Sequence, residues 1–201
     1  MIYFISFFAS YVAMSMPIVL WLLCLCYVVQ TYANDMLGPG MWSLISIGDC
    51  SLDLENEVAT FEVNKHKLNR THDGFSATIV ASETIDDKYG GLVEVCKYVD
   101  GGCKQYQVVS DNNVVSMLNK YSKENVISAL TLANIDPPEF PIEKGEYHVE
   151  DYVLEYCKLP QEAIYGEFEA LSFLVLNNEK VACVKCVLEF NKLEDEDYCK
   201  E

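Results

Sequence analysis

Nine cysteines and three histidines are the residues of this 201-residue chain that could support redox, metal or nucleophilic chemistry. Cys183-Val184-Lys185-Cys186 has the C-x-x-C spacing of dithiol and zinc sites. Its surroundings, 181–190, read as a strand, and residues three apart on a strand point to opposite faces. No second C-x-x-C or paired histidine completes four ligands, and no helix start is at hand to lower a thiol pKa. Both cysteines are therefore read as structural. His66, His72 and His148 sit in no recognisable nucleophile or metal motif. No G-x-S-x-G, H-E-x-x-H or phosphate-cradling glycine loop occurs. His66 and His72 flank the sequon Asn69-Arg70-Thr71 and are expected near the surface. Asp86-Asp87 and Asp151 could be paired carboxylates, but a polar turn and a strand bulge account for them more simply. The reading is a chain that catalyses nothing and carries no metal and no cofactor.

The cysteines must be judged by compartment. Residues 1–33 carry no charged side chain, whereas the remaining 168 carry all 45 charged residues. Residues 17–29 form a compact apolar run, and Thr31-Tyr32-Ala33 places small residues where signal peptidase prefers them. The first 33 residues are read as a cleaved secretory signal ending at Ala33. The competing reading is an uncleaved anchor, because the stretch lacks Lys and Arg and exceeds the roughly 20 apolar residues that span a bilayer. Initiation at Met14 or Met16 would make 1–13 an upstream extension. On each reading the rest of the chain is secreted or faces the secretory lumen. There, Cys50, Cys96, Cys103, Cys157, Cys183, Cys186 and Cys199 imply up to three disulfides and one odd thiol. Cys96 and Cys103 are the best local pair, because Asp100-Gly101-Gly102 supplies turn chemistry between two strands; a two-residue Asp100-Gly101 loop would set them diagonally. Asn69 becomes a glycosylation candidate.

Residues 34–201 fit one domain, large enough to bury roughly 70% of its unfolded surface. The net charge of −17 lies wholly in this part. It argues against nucleic acid and anionic headgroups, which need clustered Lys and Arg. The end, 192–201, is expected to be an acidic tail, with Glu194 to Asp197 solvated.

The elements that would position these residues are mostly β. Residues 58–63, 75–81, 92–98, 104–109, 146–156, 167–176 and 181–190 are short Val-, Phe-, Tyr- and Leu-rich runs bounded by Asn, Asp, Gly or Pro. Ala182, Val184, Cys186, Leu188 and Phe190 form one apolar face, with Lys185 and Glu189 opposite. Between Val149 and Tyr152 the apolar phase slips by one residue, which predicts a bulge near Glu150-Asp151. Over 113–133 the period changes. Val114, Met117, Leu118 and Tyr121, then Val126, Ile127, Leu130 and Ala133, recur at threes and fours. Asp111 or Asn112 could cap this helical segment, a break is expected near 122–125, and Pro137-Pro138 should stop it. It is either a brace packed on the sheet or part of a ligand portal.

Phe140-Pro141-Ile142-Glu143-Lys144-Gly145-Glu146-Tyr147 leads through Tyr152-Val153-Leu154 to Leu159-Pro160, then Tyr165-Gly166-Glu167-Phe168. This resembles the F-P-x-x-K-G-x-Y, L-P and G-x-[FY] series of insect secreted proteins related to the ganglioside activator protein, which include the chemosensory CheA and CheB proteins. Lys67-Leu68-Asn69-Arg70-Thr71, Asp86-Asp87-Lys88-Tyr89 and Val93-Glu94-Val95 are similar to segments of that family upstream. The resemblance spans 57–190. Local chemistry fits it: Pro141 favours an extended entry, Gly145 can take the positive φ of a tight turn, and Tyr147 opens a strand. The cysteines depart from the family, since Pro137-Pro138-Glu139 stands where many relatives carry a Cys, so no disulfide pairing is carried over.

What the resemblance implies is a mainly β fold, a β-cup or two-sheet lipid-recognition sandwich whose sheets splay around an apolar pocket. It also implies a non-enzymatic carrier or presenter for a lipid or other hydrophobic small molecule. The aromatic stock for such walls is Phe61, Phe75, Phe140, Tyr147, Phe168 and Phe173, with Trp42 and Phe190 beside them. Each could equally fill a closed core. The competing function is an extracellular interaction module whose acidic surface meets a receptor. A pocket of about 300 Å³ or more with a mouth separates the two.

Overall fold

The computed structural model describes residues 37–50, 52–54, 57–69, 73–193 and Cys199. The expected signal or anchor, the upstream extension, His72, the last two residues of the sequon and the acidic stretch 194–197 lie outside them. Among the described residues no helix is long and apolar enough to cross a membrane. One compact unit runs over Pro39–Glu201.

In chain order the strands are β1 (Leu37–Gly48), β2 (Ala59–Lys67), β3 (Asp73–Ala81), β4 (Gly90–Val99) and β5 (Gly102–Asp111). The helices α1 (Val114–Tyr121) and α2 (Lys123–Leu132) follow, then β6 (Gly145–Tyr152), β7 (Glu162–Ile164), β8 (Gly166–Leu176) and β9 (Glu179–Lys192). A six-stranded sheet has the order β5-β4-β8-β9-β1-β7, and a three-stranded sheet the order β2-β3-β6. The fold is mainly β, a two-sheet sandwich, as expected.

Alternation decides which face is inside. The pairs Ser172↔Val184 and Leu174↔Ala182 between β8 and β9, with Val93↔Ser172 between β4 and β8, put these five side chains on one face. Lys185, Glu169 and Glu94 fall on the other. The inner faces meet at one end in a core of Val58, Ala59, Ala81, Ile85, Tyr89, Val114, Val181 and Ala182. Val58 joins the sheets there, its N–H donating to Val181 O at 2.7 Å while its carbonyl accepts from Ser82 N at 2.9 Å.

The slip of phase in β6 is a bulge. Phe75 faces Tyr152 while Ala77 faces Val149, so Glu150 and Asp151 oppose a single residue, and Asp151 has φ 54°. The strand ends at Tyr152, short of the expected 156, because the bulge turns the chain and Tyr156–Lys158 forms a 3-10 turn. The predicted helical segment divides in two at Ser122, whose φ of −153° is not helical. Its cap is Asn113, neither Asp111 nor Asn112: Asn113 Oδ1 accepts from Ser116 N at 2.9 Å, and Asp111 Oδ1 accepts from Asn113 N at 2.9 Å. Asn134 ends it before the prolines can. With φ 57°, it sets Asn134 N on Thr131 O and Ile135 N on Leu130 O, both at 3.0 Å, the paired bonds of a Schellman motif. Gly145 does not take a positive φ; that conformation falls on Gly101, Gly102 and Gly166.

Three disulfides join Cys50–Cys183, Cys96–Cys103 and Cys157–Cys199. Cys96 pairs in register with Gln105 and Cys103 with Tyr98, so the second bridge is diagonal across the Asp100-Gly101 turn. Cys186 is the odd thiol. In the C-x-x-C segment, Cys183 is bridged on the outer face while Cys186 points inward between Ala170 and Ile47.

Candidate functional site

Between the sheets lies a cavity of about 500 Å³. Phe61 of β2 and Ile79 and Ala81 of β3 form one wall. Val93, Val109, Ser172, Leu174, Ala182 and Val184 form the opposite wall on the larger sheet. Val114, Met117, Leu118 and Tyr121 of α1, then Ser122, close one side, and Ile85, Phe140 and Ile142 close another. No lining residue carries a formal charge. Tyr121 is a wall residue and 47% exposed, so the cavity reaches solvent at the end of α1.

Each wall has a local cause. The stripe at i, i+3, i+4 and i+7 puts the four α1 side chains on one helix face, and that face is the one turned to the sheet. Gly91 permits the close approach: a Cβ there would stand 2.5 Å from Met117 Cε. Val114 N donates to Tyr89 O at 2.7 Å, which fixes the start of α1. Ile85 and Ile142 exchange backbone hydrogen bonds at 2.8 and 2.9 Å, which hold the Phe140-Pro141-Ile142 segment against that side of the cavity. At the far side of the helical pair, Asn125 is 6% exposed; its Oδ1 accepts from Tyr152 Oη at 2.7 Å and from Glu155 N at 3.0 Å. Burial pushes the Tyr152 phenol up.

Of the six aromatic residues singled out, Phe61, Phe140 and Phe173 line the cavity. Phe173 does so from the wrong side of the pleat. It pairs with Cys183, out of phase with Ser172 and Leu174, and its ring carries the Lys180 ammonium at 3.7 Å, itself bonded to Glu94 at 2.8 Å. Phe75 faces inward but lies further along β3, buried to 4%. Tyr147 packs on the core and donates to Glu143 O at 2.6 Å. Phe168 belongs to a separate cluster on the inner face, 5.9 Å from Trp42 and 5.4 Å from Tyr106. The aliphatic wall residues were not singled out, although the α1 stripe and the β9 face that carry several of them were readable as patterns.

The remaining reactive groups do not line the cavity. Cys186 sits in apolar surroundings, and burial pushes its thiol up to about 11. His66 Nε2 lies 2.8 Å from Asp151 Oδ1 at the bulge, and Asp86 Oδ1 accepts from Lys88 N at 3.1 Å in a polar turn. On the outer face, Glu169 takes Lys185 at 2.7 Å and Tyr98 at 2.8 Å, which together hold its carboxyl below the ordinary range. Among the described residues no group of three or more His, Cys, Asp or Glu could hold a metal ion. Asn69 is exposed beyond the end of β2.

Fold and site thus define a β-sandwich with an uncharged apolar pocket between its sheets. No protein-family model matches the chain, and no curated protein matches it in sequence. Among solved structures it is similar to a Niemann-Pick type C2 protein from the Japanese carpenter ant, at 12% identity and a TM-score of 0.30, over 71% of this chain and 97% of that one. It is also similar to chicken MD-1 complexed with lipid IVa, at 11% identity and a TM-score of 0.31, over 74% and 96%. Superpositions this loose say nothing about a ligand.

Proposed function

We propose that the chain is a secreted, non-enzymatic binding protein that holds a lipid or other hydrophobic small molecule in the inter-sheet cavity and carries or presents it. The observation that supports this most is the cavity itself: about 500 Å³, with no charged group on its wall. Pockets for small ligands run from about 300 to 1,000 Å³ and are lined mainly by apolar side chains. An apolar guest gains by leaving water, whereas an empty apolar cavity forfeits packing on every wall. Phe61 and Phe140 offer aromatic contacts from inside, and the α1 face forms the wall beside the opening. A chemosensory task belongs to the same reading through the resemblance, and cleavage after Ala33 and glycosylation at Asn69 belong to it as expectations from the sequence. A filled-core module acting through its acidic surface is the weaker alternative, because the space between the sheets is not filled.

The test is titration of the purified protein with a fluorescent apolar reporter, beside Val184→Phe, which places a ring in the cavity. The reading expects saturable binding by the parent chain and at least tenfold weaker binding by a variant of unchanged circular dichroism. Equal binding by both would place the reporter elsewhere and overturn it.

A further inference from the structure

The cavity wall is not uniformly apolar, and its polar groups limit the guest. Ser172 lies in mid-strand on β8, paired with Val93 of β4 on one side and Val184 of β9 on the other. All three line the cavity, so the Ser172 hydroxyl stands on the inner face between two valines. No described residue hydrogen-bonds it. The hydroxyl opens on the cavity and is not among the buried polar atoms left without a partner, so its partner is whatever occupies the cavity; alanine would fit the same place, as Ala170 and Ala182 do nearby on this face. The other aliphatic hydroxyl of the lining, Ser122, sits at the helix junction near solvent, and makes no capping bond to α2. Lys180 is committed to Glu94 and Phe173 on the outer face, and Lys120 stands over the Tyr121 ring at the mouth, 4.9 Å from its centroid, outside the wall that holds Ser172.

Taking the pocket reading as given, we infer that Ser172 is the specificity-determining contact for a guest that carries one neutral polar group, a hydroxyl, carbonyl or ester, on an otherwise apolar body. A pure hydrocarbon leaves the Ser172 hydroxyl without a partner. An ionised carboxylate or ammonium finds no counter-charge on the wall and loses its hydration. The neutral oxygen-bearing guest satisfies the hydroxyl in both directions, since a serine donates one hydrogen bond and accepts others.

The experiment displaces a bound apolar reporter from the full secreted chain with a straight-chain series of one length: the hydrocarbon, the primary alcohol, the methyl ester and the ionised carboxylate. Ser172→Ala, Ser172→Thr and Ser122→Ala are run beside the parent. The expected result is alcohol and ester ahead of the hydrocarbon by about fivefold to tenfold, the worth of one neutral hydrogen bond. The carboxylate comes last. Ser172→Ala removes the advantage while the hydrocarbon still binds, Ser172→Thr keeps it, and Ser122→Ala keeps alcohol and ester ahead of the hydrocarbon. An advantage that survives Ser172→Ala, or that is lost only in Ser122→Ala, overturns the assignment while leaving the pocket reading in place. Equal binding of all four compounds does the same. A chain that takes up neither reporter nor any of the series overturns the pocket reading itself.

Discussion

Asn125→Ala should be among the most damaging single changes in the helical wall. Asn125 is the third residue of α2, is 6% exposed, and spends its Oδ1 on two donors outside the helix, Tyr152 Oη at 2.7 Å and Glu155 N at 3.0 Å. Its amide adds a long contact of 3.5 Å to Glu155 O. Removing the side chain strands two donors in a half-buried site, at about 1–3 kcal/mol each. The Tyr152 hydroxyl keeps a weak fallback, the Asn125 carbonyl at 3.4 Å, so its share belongs at the low end. Alanine returns roughly 0.5 kcal/mol as the better helix former. The net loss is then about 2–3 kcal/mol. Urea unfolding should show it as a lower midpoint at unchanged slope. Tyr152→Phe in the Asn125→Ala background removes one of the stranded donors, so the double variant should be more stable than the sum of the singles by about 1 kcal/mol. A loss under 1 kcal/mol, or strict additivity, would refute the view that this hub ties α2 to β6.

The other consequences concern cysteines and charge. The three bridges close loops of very different length, with partners 133, 42 and 7 residues apart; chain entropy alone makes them worth about 5, 4 and 2.5 kcal/mol. Paired alanine variants, compared by unfolding, should keep the order Cys50–Cys183, Cys157–Cys199, Cys96–Cys103, and a reversed order would count against the loop argument. With its thiol pushed to about 11, Cys186 should be only roughly one part in a thousand thiolate at pH 8. Mass mapping after alkylation without reductant should find it modified in denaturant and spared in the native chain. The Glu169 carboxyl is held low, first by the Lys185 ammonium and then by the Tyr98 hydroxyl. A lowered folded pKa gives stability that is present above the unfolded value and fades as pH falls through the folded one. Unfolding midpoints of the parent should therefore drop below about pH 4.5 more steeply than those of Glu169→Gln; parallel curves would show the cluster to be idle.

Seven of the strands were legible because they are β-branched and aromatic runs bounded by turn residues, several of them alternating, and even the bulge in β6 could be placed from a one-residue slip between Val149 and Tyr152. β1 was not, because Gly38-Pro39-Gly40 reads locally as a turn. Its reason is tertiary: a Cβ on Gly40 would stand 2.6 Å from the Phe190 ring and run into Asn191 O, so glycine is needed where β1 lies on β9. The three-residue β7 is too short to show a period. The site was legible only in part. Aromatic residues were weighed as walls because of their size, yet Phe75 and Phe168 do not border the cavity, Phe168 packing with Trp42 and Tyr106 instead, and Phe173 has its ring on the far side of the pleat. Which residues border the gap depends on where two twisted sheets diverge, a long-range property that no local pattern carries. The α1 stripe was readable as buried; that it faces a cavity followed only once the sheets were in place.

Native mass spectrometry of the chain purified from the medium of secreting eukaryotic cells, with organic extraction of whatever travels with it, tests the central claim most directly. The account predicts an apolar molecule bound at one per chain, lost on denaturation and displaced by a competing lipid. A chain that emerges empty and stays empty when offered lipids and hydrocarbons would contradict it.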